Sequence, residues 1–115
     1  MLKDLGERLF SFSINTLTLL RKIDFSISNK VIINQLAKSA TSAGANYEES
    51  QAGSSKADFI NKVNISLKEM RESNYWLRII KALEIGPKEE TELLLNESIE
   101  LMKILAKILL KAKNI

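Results

Sequence analysis

The chain has 115 residues, 45% of them hydrophobic, with one Pro and four Gly. That suits one domain with an ordinary core built from a few long elements. Cys and His are both absent, which excludes disulfides, thiolate nucleophiles, Cys- or His-ligated metals and the commonest general base; the net charge of +3, from 17 basic and 14 acidic residues, is a mild excess.

The N-terminal stretch MLKDLGERLF is charged and amphipathic, unlike a secretion signal. No apolar run approaches the roughly 20 residues of a membrane span. These features predict a cytoplasmic protein.

The first predicted helix runs over about residues 2–23. Leu2, Leu5, Leu9, Phe12, Leu20 and Ile23 share one face, with Thr16 in the same stripe. Residues 24–29 (DFSISN) form a connection rich in side chains that bond locally to backbone.

The second helix is expected over 30–52, capped by Ser28 or Asn29. Its face is Ile33, Leu36, Ala40, Ala43 and Tyr47. Gly44 in its interior costs about 1 kcal/mol relative to Ala. Either a neighbouring helix approaches closely there, or the helix breaks.

Gly53 suits a left-handed stop. Ser55 then caps a third helix over 56–83, with Asp58 completing a capping box. Ile60, Val63, Leu67, Met70, Asn74 and Leu77 form a heptad seam with one polar member. Trp76, Ile79, Ile80 and Leu83 widen it.

Residues 84–86 are the last loop, and Pro87 suits the first position of a fourth helix over 87–113. Its acids come first and its lysines last, as the helix dipole favours. Four amphipathic segments with short connections predict an all-α, antiparallel up-down-up-down four-helix bundle, a single domain over 1–115.

The fourth segment carries more apolar surface than one core-facing stripe requires. Leu94, Leu101, Leu105, Ile108 and Ala112 make one stripe; Leu95, Ile99, Met102, Ala106 and Leu110 make a second. Phe10, Ile14 and Leu17 double the first segment in the same way. Soluble monomers rarely expose large apolar patches, so a homo-oligomer interface over Phe10, Ile14, Leu17, Leu95, Ile99, Met102 and Leu110 is expected.

QLAKSATSAGANYEES (35–50) and KADFINKVNISLKEMRESNYWLRII (56–80) resemble the bacterial four-helix-bundle proteins encoded in intervening sequences of 23S ribosomal RNA genes. The specific elements are Ser-Ala-Gly-Ala-Asn at 42–46, Glu49, Phe59, and Glu-Ser-Asn-Tyr-Trp-Leu-Arg at 72–78. The first and last segments match only in length and pattern. Two places depart from the family pattern: Glu48-Glu49-Ser50 stands where many members have Ala-Glu-Gly, and Lys68-Glu69 where many have Gly-Ser. The resemblance implies a four-helix bundle assembled as a cyclic homopentamer. It also connects the chain to the accessory protein of diversity-generating retroelements, a related pentamer that binds reverse transcriptase and nucleic acid.

Three sets of polar residues remain as candidate sites. Asn46, Glu49 and Glu72 read as structural polar residues, in helix packing or subunit contacts. Glu48-Glu49 with Glu69-x-x-Glu72 is faintly similar to the acidic motifs of all-α nucleotide pyrophosphohydrolases, which hold Mg²⁺. Ala52, however, stands where another acid belongs, and 49 and 72 should lie tens of ångströms apart. Lys103, Lys107 and Lys111 form a row, and Arg71 and Arg78 a second basic group, able to meet the phosphates of RNA or DNA. The expectation is a non-catalytic, cofactor-free, homo-oligomeric interaction scaffold. The alternatives are a nucleic-acid-binding accessory subunit of an RNA or reverse-transcriptase complex and, more remotely, a carboxylate-Mg²⁺ hydrolase.

Overall fold

The computed structural model describes residues 4–53 and 55–114. They form four helices: α1 (Leu5–Leu20), α2 (Ile27–Ser50), α3 (Lys56–Leu83) and α4 (Lys88–Lys113). No strand occurs among the described residues. The fold is the expected all-α bundle.

Local chemistry sets the helix ends. Asp4 caps α1, its carboxylate accepting from the Glu7 N–H at 2.7 Å. Leu2, assigned to the first stripe, lies outside the described residues. The Ser55 hydroxyl accepts from the Asp58 N–H at 3.1 Å, so α3 starts and ends where the sequence placed it. Gly53 adopts φ +82°, the left-handed stop it was assigned.

Three starts differ from expectation. α1 begins at Leu5, after the Asp4 cap, and ends at Leu20, so it is shorter at both ends than the expected 2–23. α2 begins three residues early because Ser26, not Ser28 or Asn29, is its cap; Ser26 accepts from the Asn29 N–H at 3.1 Å. The Asn29 side chain turns back to the Asp24 carbonyl at 2.9 Å, which tightens the connection. Pro87 is the cap of α4 and not its first residue, with ψ 123°. The α3 stop is Glu84 at φ 53°, a non-glycine in the left-handed region.

Sequence-adjacent helices pack side by side and α1 also meets α4, while the backbones of the diagonal pairs stay further apart. Cross-links fix the directions. Ser13 Oγ donates to the Ala40 carbonyl (3.0 Å) and Ser66 Oγ to the Ala43 carbonyl (2.7 Å). Ser39 and Ser73 share a 2.8 Å hydrogen bond, and Asn74 Nδ2 donates to Ser98 Oγ at 2.9 Å. Along each pair, residue numbers rise on one helix as they fall on the other, so neighbours are antiparallel.

These contacts explain the small residues of α2. A serine at a crossing lets backbones approach, and its hydroxyl finds a neighbour's carbonyl or hydroxyl in place of water. Each such bond contributes about 1 kcal/mol net, while an orphaned buried hydroxyl would cost more than that. Gly44 sits in an unbroken α2, where α1 crosses it. A Cβ at Gly44 would lie 3.5 Å from both the Leu9 carbonyl oxygen and Ser13 Oγ. The approach is close, and it still leaves room for one methyl.

The core is Leu9, Phe12, Leu19, Leu36, Ala40, Ala43, Val63, Met70, Leu77, Ile80, Leu101 and Leu105, with Leu20, Ile23, Ile32, Leu67, Leu94, Leu95 and Leu109 at its edges. The heptad seam of α3 supplies Val63, Leu67, Met70 and Leu77 as expected. In α2, Ile33 and Tyr47 are only partly buried, and Ile32 and Ser39 fill the deeper positions. The α1–α4 seam is the loosest. Its closest ion pairs are Arg8 with Glu97 and Lys22 with Glu90, both at 2.6 Å. The result is flattened, with extents of 46 × 31 × 19 Å.

Candidate functional site

The carboxylates of the hydrolase reading are not brought together. The α2–α3 bonds pair Ser39 with Ser73 and Ala43 with Ser66. On that register Glu49 stands opposite the region of residue 62. Ten residues then separate it from Glu72, about 15 Å at the helical rise. The separation is real, and smaller than the tens of ångströms expected from sequence. Glu49 and Glu72 are both exposed. Among the described residues, no three His, Cys, Asp or Glu side chains gather to hold a metal.

Asn46 stays within its own helix: its amide donates to the Ser42 carbonyl (2.9 Å) and to Ser42 Oγ (3.1 Å). Helix packing at this point is done by the serines instead. Glu69 is half-buried. Burial first, then the charge of Glu72, raises its carboxyl above the ordinary range, while Lys68 and Lys38 pull it down.

The apolar residues assigned to an interface divide by exposure. Phe10 (60%), Ile14 (47%), Ile99 (41%) and Leu110 (64%) are exposed. Leu17 and Met102 are partly buried against the core. Leu95 is a correction: it is 7% exposed and belongs to the core. The reason is that α4 packs on α3 along one side and reaches α1 along the other, so its buried arc is wider than one stripe.

The exposed four lie on two different faces. On α1, Arg8 and Lys22 point to α4 and Ser13 to α2. At about 100° per residue, Phe10 and Ile14 fall beyond Ser13, on the outer α1/α2 side. On α4, Ile99, Lys103 and Leu110 share the arc of Glu92, which pairs with Lys81 of α3. They therefore sit on the outer α3/α4 side, opposite the first face.

The two faces differ in charge. Asp4, Glu7 and Glu48 line a shallow hollow with Gly6 and Phe10. Across the molecule, at about 100° per residue, Arg71 of α3 and Lys103 of α4 fall on the same outer side as Ile99, and both are exposed. Arg78, seven residues after Arg71, donates from Nε to Asn74 Oδ1 at 3.0 Å and lies 5.6 Å from the centre of the Tyr75 ring. The Arg8–Glu97 pair puts the start of α1 level with the middle of α4. The acids of one face thus stand at about the height of Arg71 and Lys103 on the other.

The lysine row is exposed throughout. Because i, i+4 spacing drifts by about 40° per step, Lys103 leans toward α3, while Lys111 leans toward α1. The acids that precede this row on α4 are engaged elsewhere: Glu97 and Glu100 meet Arg8, the latter at 3.7 Å. The Arg8 guanidinium is bidentate on Glu97, with bonds of 3.0 and 2.6 Å. This pushes its pKa up, against the burial that lowers it.

Sequence reasoning missed the buried hydroxyls. Ser66 and Ser73 are seven apart, the same heptad spacing as the hydrophobic seam, and that spacing was the available signal. The inter-helix ion pairs carried none, since they depend on the relative sliding of helices.

Comparison with known proteins places the chain. The model of the 23S rRNA-intervening sequence protein family matches residues 7–107. A solved structure from Bacteroides thetaiotaomicron, of a protein with unknown function from the S23 ribosomal protein family, superposes with a TM-score of 0.82. It is 33% identical, and the match covers 92% of this chain and 98% of that one. No curated protein matches. Among the described residues, no helix is long and apolar enough to cross a membrane. The chain belongs to the 23S rRNA-intervening sequence protein family.

Proposed function

We propose that the protein is a non-catalytic scaffold that assembles head to tail into a closed ring, of five subunits if the family resemblance extends to subunit number. The observation that carries this reading is the pair of opposite outer faces, each apolar at its centre and of opposite charge at its edge. A contact between two different patches is heterologous. Repeated, it either closes into a ring or runs on as a filament. With the ring axis along the bundle, every residue keeps its height from one subunit to the next. Asp4, Glu7 and Glu48 of one copy then meet Arg71 and Lys103 of its neighbour.

The magnitudes are compatible with a ring. Full burial of a large apolar side chain contributes roughly 1.5–3 kcal/mol. Phe10, Ile14, Ile99 and Leu110 are each about half exposed, so one contact gains on the order of 3–6 kcal/mol from them. Association costs about 4–15 kcal/mol. One contact alone is marginal. A closed ring gains one further contact without adding a subunit, and the opposed charges fix register and speed encounter.

Light scattering tests this reading. The wild-type chain should be a single oligomer at micromolar concentration. Ile99→Glu with Leu110→Glu should be a helical monomer, since both side chains are exposed in the isolated subunit. Leu95 and Met102 are left untouched because both touch the core. A wild-type monomer contradicts the proposal.

A second reading, nucleic-acid binding, rests on one observation: from Leu101 to Lys113, α4 carries four lysines and no acid. Replacing Lys103, Lys107 and Lys111 by Gln should then flatten the salt dependence of RNA or DNA binding by about one unit of slope per lost phosphate contact. Wild-type protein that binds neither at low salt removes this reading.

A further inference from the structure

We propose that the cleft between α1 and α4 is a binding site for a small, uncharged molecule with one apolar side and one hydrogen-bonding edge. The cleft has a volume of ≈ 800 Å³, within the range of small-molecule sites, which often lie between the helices of bundles. It exists because α1 and α4 are the least closely packed neighbours. This site is separate from the assembly proposed above: it lies on the seam between the two outer faces, so a ring leaves it open.

The two walls differ in chemistry. α1 contributes Ser11, Asn15 and Thr18, spaced three and four apart along one side of the helix. The Thr18 hydroxyl donates to its own Ile14 carbonyl at 2.9 Å and keeps its lone pairs as acceptors toward the cleft. α4 contributes Leu93 and Leu94, and Phe12 adds apolar surface. Leu93 is 65% exposed, and neither the core nor the two outer faces account for it.

The ends argue for a small ligand over a docked helix. Arg8 bonds Glu97 and Lys22 bonds Glu90 across the two helices, and all four residues line the cleft. A rod laid along the groove would have to break both pairs. The four charges that line the cleft neutralise one another in place, so its wall offers no free counter-charge. An anionic or cationic ligand would lose hydration without gaining a partner, which leaves an uncharged one.

The probe is N-phenyl-1-naphthylamine, an uncharged fluorophore with an apolar body and one N–H, titrated into the Ile99→Glu/Leu110→Glu variant and into wild type. The expected result is saturable binding of one probe per chain in both proteins, with blue-shifted emission. Leu93→Gln, a near-isosteric change on an exposed helical surface, should weaken it by about tenfold with helix content unchanged. Absence of saturable binding overturns the proposal. So does binding that ignores Leu93→Gln, or binding that disappears in the Ile99→Glu/Leu110→Glu variant, which would locate the probe on the outer α3/α4 face. Because the readout does not need the oligomer, failure here leaves the ring untouched, and failure of the ring leaves this site untouched.

Discussion

Gly44→Ala should stabilise the protein. Gly in a helix interior costs about 1 kcal/mol relative to Ala, and α2 runs unbroken through this position. The opposing effect is steric, and the distances decide it. A Cβ here would lie 3.5 Å from the Leu9 carbonyl oxygen and from Ser13 Oγ, and 3.7 Å from the Leu9 carbonyl carbon. Those are ordinary contacts, so the gain in propensity survives nearly whole, at about 0.5–1 kcal/mol. For a chain of this length that is about 2–4 °C in Tm. Val is the control. Its two further methyls must enter space held by the α1 backbone and by a Ser13 hydroxyl bonded to Ala40. Overpacking of this kind costs about 1–3 kcal/mol. Thermal and urea unfolding should be measured in the Ile99→Glu/Leu110→Glu background, so that assembly does not add concentration-dependent stability. A loss of more than about 1 kcal/mol for Ala, or a harmless Val, would refute the α1–α2 crossing described here.

Three further outcomes follow from single residues. Glu84→Gly should gain about 0.5–1 kcal/mol in urea unfolding, because Glu84 holds φ 53°, where a side chain is strained and Gly is not. Thr16→Val should be neutral or stabilising by up to about 1–2 kcal/mol, since the Thr16 hydroxyl is fully buried with no hydrogen-bond partner among the described residues; a clear loss would reveal a hidden partner. Glu69→Gln should stabilise at neutral pH. Its folded carboxyl pKa is raised, chiefly by burial, so the charged form opposes folding above that pKa and the penalty vanishes once pH falls below the unfolded value. The advantage of Gln should therefore shrink to nothing in acid; an advantage that grows in acid would reverse the sign.

Most of the fold was legible because it depends on local pattern. The seam Val63, Leu67, Met70 and Leu77, the Ser55 cap and the left-handed Gly53 each act within one helix or turn, where sequence spacing and geometry coincide. The start of α2 was misread because Ser26, Ser28 and Asn29 offer equivalent chemistry, and the choice among them depends on how Asn29 folds back to Asp24. Leu95 was misplaced for a different reason. A helical wheel gives angles within α4 but not the width of the arc that α1 and α3 together cover. The α1–α4 cleft was invisible for the same reason. It is a gap between elements, set by how far two helices stand apart, and no residue in it carries a distinctive motif. The separation of Glu49 from Glu72 was foreseen in direction, and its size needed the register that Ser39 and Ser73 fix.

The most direct test of the ring is a mixing experiment. One variant carries Phe10→Glu and Ile14→Glu, and a second carries Ile99→Glu and Leu110→Glu. Each keeps one intact face, so each alone should be a monomer by light scattering. Mixed in equal amounts, the intact α3/α4 face of the first should bind the intact α1/α2 face of the second. Growth should stop at a 1:1 heterodimer, weakened by added salt as the opposed charges require. Because one contact alone is marginal, the mixture is followed up to the highest soluble concentration; a variant that remains a homodimer by itself, or a mixture with no concentration-dependent 1:1 association while wild type assembles, would contradict head-to-tail association through these two faces.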